Sequence, residues 1–128
     1  MTRPDFVRSR EFYFRRVEDV RTLMLKHGLA AKTVWVTEFG WAPQNTSQHY
    51  EYGNQITYEQ QADYLVRAIQ YTHTHYRGWL TGMFVWNLNF AIPWTSEGNP
   101  LHEQASFGVL IGDWSPRPAY TALKNMPK

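Results

Sequence analysis

At 128 residues, with 43% hydrophobic and 16% aromatic content, the chain has the length of one modest domain and enough apolar mass for a packed core, which excludes disorder over most of it. It contains no cysteine, which removes disulfide scaffolds and all thiolate chemistry, and no apolar run approaches the roughly 18 residues of a membrane span. The net charge of +2 is unevenly spread: residues 1–32 carry eight Lys/Arg against four Asp/Glu, and the remainder carries five against seven.

Residues 1–9 read as a loose lead-in, with Pro4, mixed charge, no periodicity and no apolar secretory core. Over residues 10–27, Tyr13, Val17, Val20, Met24 and His27 recur at three-to-four spacing and Phe14 and Leu23 widen the stripe, which predicts an amphipathic helix. Its arginines alternate with acids. That pattern reads as a solvated face in preference to a nucleic-acid site. Gly28 is placed to supply a left-handed cap, with Leu29 packing back on Met24 in a Schellman arrangement. The stretch 33–43, T-V-W-V-T-E-F-G-W-A-P, then predicts a buried strand, because its residues are β-branched or aromatic and Gly40 closes the run. Strict alternation puts Val34, Val36 and Glu38 on one face and Trp35, Thr37 and Phe39 on the other. Glu38 thereby ends an apolar row at the C-terminal end of the strand, where parallel α/β sheets keep their chemistry. A carboxylate there is costly to ionise unless donors or water reach it, which makes it a candidate functional group. A loop cap or an arginine partner is the plainer role for the same residue.

Residues 41–56 form a long polar connection whose Trp41, Tyr50 and Tyr52 suggest an ordered binding loop. Its Asn45-Thr46-Ser47 matches a glycosylation acceptor, a match we take as chance without a secretory signal. Thr57 and Gln60 make a capping box, and Tyr58, Ala62, Leu65, Ile69, Thr72 and Tyr76 continue a second amphipathic helix. His73 and His75, two apart on it, point to different faces and have no third ligand in sequence, so no metal site is expected. After Gly78, residues 79–88 predict a second buried strand with Gly82, Phe84 and Trp86 on one face and Met83 and Val85 on the other. Parallel to the first, it would carry Trp86 to the same rim as Glu38. Residues 89–106 read as a loop bearing Trp94, Glu97, His102 and Glu103. Ser115 as N-cap with Pro116 in the first turn starts a last helix over 117–125. The order is helix, strand, helix, strand, helix, an α/β arrangement with parallel strands. Neither strand is followed by a glycine-rich phosphate loop, so no nucleotide cofactor is expected.

Three segments in this order, V-W-V-T-E-F-G-W, M-F-V-W-N, and F-G-V-L-I-G-D-W-S-P-R-P-A-Y-T-A-L, resemble the C-terminal part of the clan A (β/α)8-barrel glycoside hydrolases, the group holding many cellulases, β-mannanases, β-xylosidases and β-glucosidases. The resemblance implies that the chain is the C-terminal portion of a TIM barrel, one partial domain over 1–128 amounting to about a quarter of the barrel. It implies that Glu38 is the catalytic nucleophile and that Trp86 floors the subsite of the reacting sugar. Trp41 and Trp94 become further sugar contacts, and no cofactor or metal is needed. The departure lies in the general acid/base, which the clan carries after an asparagine at the end of the fourth strand. No such strand is present, and nothing in the spacing of Glu51, Glu97, Glu103 or Asp113 marks a substitute.

The expectation is therefore a C-terminal fragment of a retaining glycoside hydrolase acting on O-glycosidic bonds, inactive or weak alone. The alternative is a non-catalytic carbohydrate-binding or assembly protein derived from such a barrel. Expected partners are an oligo- or polysaccharide and a second copy or other chain supplying missing strands, with neither nucleic acid nor membrane involved. An unpartnered face carrying Val34, Val36, Gly82 and Phe84 is expected to drive association.

Overall fold

The computed structural model describes residues 14–127, so the lead-in 1–9 and the expected start of the first helix at 10–13 lie outside the described residues. The first helix, α1, spans Val17–Lys26 after a 3-10 turn at Phe14–Arg16. It ends as its sequence requires: Leu29 N–H donates to Met24 O at 2.8 Å, Gly28 N–H donates to Leu25 O at 3.1 Å, and Gly28 takes φ +72°. That is the Schellman pattern. The first turn is tied to the second helix through Glu18, which receives Arg15 Nε at 2.7 Å and the Tyr76 hydroxyl at 2.5 Å. Burial and this acidic neighbour raise the Tyr76 phenol well above its ordinary range. No residue of α1 is buried, however. Its apolar stripe faces a cleft it shares with the first strand.

Strands β1, Val34–Phe39, and β2, Leu80–Val85, pair in parallel as the chain order predicts. The register is Val34 with Leu80, Trp35 with Gly82, Val36 with Met83 and Phe39 with Val85. Between the last two pairs β1 advances one residue more than β2, which is a β-bulge across Thr37 and Glu38. Burial follows the bulge: Val34, Val36 and Phe39 are half-buried while Trp35, Thr37 and Glu38 are exposed. This corrects the strict alternation. Glu38 shares the exposure of Trp35 and Thr37, and Phe39 turns inward to pack on Phe14 with ring centroids 6.4 Å apart. The extra residue lets a phenylalanine bury next to a carboxylate that stays in water. The exposed row is corrected likewise, because Trp35 lies over Gly82 and packs on Phe84 at 5.8 Å, while Val34 and Val36 line the cleft beside α1.

The second helix, α2, spans Tyr58–His75 with both hydrogen bonds of its capping box formed. Its buried face, including Ala62, Leu65 and Ala68, meets Ala119 of the last helix, α5, at Pro118–Asn125, together with Trp41, Ile56, Val109 and Leu110. The main core cluster thus lies between helices and rim loops; the strands add the half-buried Phe39 and Val85 to it, and Leu80 of β2 is buried besides.

Two further expectations are corrected. The connection 89–106 contains two short helices, α3 at Ala91–Ser96 and α4 at Glu103–Phe107. Pro93 sits in the first turn of α3, where its missing N–H has no carbonyl to serve. The last helix starts with Arg117 as N-cap and Pro118 at N1. Ser115 belongs instead to a tight turn: its N–H donates to Asp113 Oδ1 at 2.9 Å, its carbonyl accepts from Ile111 N–H at 3.0 Å, and Leu110 and Pro116 form an antiparallel bridge. The described residues therefore form a mixed α/β structure of five α-helices and a two-stranded parallel sheet. No described helix is long and apolar enough to cross a membrane.

Candidate functional site

The C-terminal ends of the two strands are locked together. Trp86 N–H donates to Phe39 O at 2.8 Å, and the backbone at Gly40 passes so close that an added Cβ would lie 2.5 Å from Trp86 O and 3.1 Å from the Phe107 ring. Only glycine fits there. The Trp86–Asn87 peptide is cis. Asn87, buried, donates to Gln104 O at 2.7 Å and accepts from Phe90 N–H at 2.9 Å, and its own carbonyl takes Val109 N–H at 3.0 Å. The half-buried Trp86 ring is held edge-on by Phe90 at 4.9 Å. One rim thus presents an exposed carboxylate, Glu38, and a fixed indole, Trp86.

Both line one open cleft of about 730 Å³ along the edge of β1 not paired with β2. Val17, Val20, Val34 and Val36 form its apolar end; Tyr50, Tyr52, Glu103, Gln104 and Phe107 complete the end near Glu38. Among the described residues Glu38 accepts no protein hydrogen bond. The fixed donors that a buried carboxylate would need are replaced by water, because the bulge has put it in solvent.

The loop 41–56 is ordered by Asn45, whose Nδ2 donates to Ala42 O at 2.8 Å and Tyr50 O at 2.9 Å while Oδ1 accepts from Ser47 N–H at 3.0 Å. The side chain is buried, so the amide of the glycosylation-like triplet is spent on holding the loop. Ala42 N–H donates to the Tyr52 hydroxyl at 3.4 Å. Burial first, then neighbouring Tyr50 and Glu103, push that phenol up to about 12 against the opposing effect of the Ala42 bond. Thr46 N–H donates to Leu101 O at 2.9 Å and Glu103 N–H donates to Ser47 Oγ at 3.0 Å. These bonds join the two rim loops and fix Glu103 on the cleft.

Beside Glu103, His102 Nδ1 lies 3.0 Å from Glu103 Oε2 and 3.2 Å from the Gln104 amide nitrogen. One ring nitrogen cannot serve both at once. Bare, it accepts Gln104 N–H and caps α4; protonated, it donates to Glu103. Trp94 stacks on this imidazole, centroids 3.4 Å apart and planes within 5°. The C-terminal end of α4 is held from two sides. Gln61 Nε2 donates to Trp41 O at 2.8 Å, Ser106 O at 3.3 Å and Phe107 O at 3.2 Å, and Arg117 Nη1 donates to Ala105 O, Ser106 O and Gly108 O at 2.8, 3.2 and 2.8 Å.

Of the residues singled out in sequence, Glu38, Trp86 and Trp41 line the cleft. Trp41 is a core residue, 5% exposed and packed on Tyr64 at 5.5 Å. Its indole therefore offers the cleft little free surface. Trp94 lies outside the cleft lining, where it orients His102. Glu103, Gln61 and Arg117 were missed as parts of the site. For Gln61 the available signal was its place four residues before Leu65, on the stripe side of α2. No group of three or more His, Cys, Asp or Glu that could hold a metal occurs among the described residues. No family model, curated protein or solved structure matches the chain.

Proposed function

We propose that the chain is the C-terminal part of a clan A (β/α)8-barrel glycoside hydrolase, a retaining enzyme for O-glycosidic bonds, with Glu38 as nucleophile and Trp86 as the sugar platform. The observation that supports it is the meeting of Glu38 and Trp86 in one cleft at the C-terminal ends of two hydrogen-bonded parallel strands. Pyranose rings expose a C–H face that packs on a flat indole while their hydroxyls reach polar groups at the rim. A rigid strand end then aims the carboxylate at the anomeric carbon. Retention also needs a proton donor about 5–5.5 Å from the nucleophile. On this reading the donor comes from strands that a partner chain supplies at the open edge of β1, and the chain alone is a poor catalyst.

The test is covalent. The chain is assembled with a fragment carrying the first six strand–helix units of such a barrel, incubated with a slow 2-deoxy-2-fluoro glycoside, digested and mapped by mass. The label is expected on Glu38. Glu38→Gln should leave sugar binding intact and lower turnover by about 10⁴-fold or more, whereas Trp86→Ala should weaken binding and rate together by a few kcal/mol at most. A label on another residue, or ordinary turnover in Glu38→Gln, would overturn the assignment. Sugar binding by the assembled protein with no turnover, unchanged in Glu38→Gln, would favour a non-catalytic sugar-binding protein.

A further inference from the structure

Resting on the reading that the cleft takes a sugar, we infer that Glu103 is a second substrate-binding group in it, an acceptor for free hydroxyls of the ring that packs on Trp86. Glu103 lines the same cleft as Glu38 and Trp86 although it comes from a different loop. Its side chain is only 13% exposed, so its position is set by the protein while its carboxylate faces the cleft, where a ligand hydroxyl can take the place of water. The protein offers at most one donor, at Oε2 from His102, and only when Nδ1 carries the proton instead of accepting from Gln104 N–H. Oε1 accepts no hydrogen bond among the described residues.

The group is also fixed before any ligand arrives. Its backbone N–H is held by Ser47 Oγ, and the imidazole beside it is held by the stack with Trp94. A pre-set acceptor costs little ordering on binding, which is what a recognition residue requires. An ionised carboxylate only accepts, so it selects hydroxyl donors and leaves an ether or ester oxygen opposite it unsatisfied. The substrate class is therefore a pyranoside whose hydroxyls facing Glu103 are unsubstituted. O-methylation at those positions should abolish the advantage.

The full chain is titrated calorimetrically with cellotetraose, mannotetraose and xylotetraose, and with the O-methylated form of whichever binds. Glu103→Gln, which keeps the size and removes the charge, should weaken the free sugar by about 10-fold or more. It should leave the methylated sugar unchanged. Glu103→Asp, which keeps the charge and shortens the reach, serves as a second variant if Glu103→Gln unfolds, and should show the same selective loss. Equal weakening of both sugars would assign Glu103 a structural role and overturn the inference. Wild-type binding that Glu103→Gln leaves unchanged overturns it while sparing the glycosidase reading. Failure of the wild-type chain to bind any of the three sugars overturns the inference, and the covalent label on the assembled protein then decides the glycosidase reading separately.

Discussion

Among the described residues Arg117 forms no ion pair; its partners are three carbonyl oxygens and the face of Tyr58, 4.2 Å from the guanidinium carbon. Desolvation lowers its pKa from the ordinary arginine value, but the group remains charged across all accessible pH. Those carbonyls belong to the end of α4, so the charge acts as a detached helix cap that holds the Glu103 loop in place. Replacing it with methionine keeps the stem and strips the donors, leaving several partly buried carbonyls short of a partner. Arg117→Met should lower stability by roughly 3 kcal/mol in urea unfolding, and Arg117→Lys should recover part of this because an ammonium lacks the planar fork. A change within about 0.5 kcal/mol for Arg117→Met would show that the carbonyls find water instead. None of this was legible beforehand. An arginine next to two prolines reads as surface, since its carbonyl partners are nine to twelve residues away in sequence and become neighbours only once α4 forms. Glu38 and Trp86 were legible because each ends a short apolar run, a pattern that needs no tertiary information.

At the level of elements, what could be read was what is decided within five residues. The capping box of α2 is such a case: Gln60 N–H donates to Thr57 Oγ1 at 3.2 Å and Thr57 N–H donates to Gln60 Oε1 at 2.8 Å. The Gly28 cap of α1 is another. The β1 bulge was not readable, because the competition between burying Phe39 on Phe14 and keeping the Val34/Val36 alternation is settled by residues far along the chain. The N-cap of α5 slipped by two residues for a related reason: Ser115 can cap a helix or close a turn, and its bond to Asp113 together with the Leu110–Pro116 bridge favours the turn. The local devices make a direct prediction. Thr57→Ala removes the side-chain acceptor and should cost about 1 kcal/mol of stability, with Thr57→Ser costing much less. Equal urea midpoints for wild type and Thr57→Ala would mean that packing of α2 on α5 alone sets its start.

For the molecule as a whole, the question is what covers a two-stranded sheet. One face carries Trp35, 63% exposed, against Phe84, 50% exposed, and the neighbouring edge of β1 opens on a cleft walled by valines. Paired, exposed aromatic rings beside unpaired strand N–H and C=O groups are the features that draw a second chain. Leu23, Leu25 and Leu29 around the end of α1 are also exposed, so the apolar surface extends beyond the strands. Covering what remains exposed of the two rings removes at most about 250 Å² from water, an effect of about 6 kcal/mol per copy before ordering costs are subtracted. Association at micromolar concentration is the expected outcome, whether with a second copy or with a chain that completes a barrel. Trp35→Thr with Phe84→Thr puts strand-compatible β-branched residues in both strands and removes the rings, so the doubly substituted chain should scatter light as a smaller species than wild type at equal concentration. A wild-type chain that sediments as a compact monomer at micromolar concentration and unfolds cooperatively in that form would show that two strands suffice, and the quarter-barrel reading would go with it.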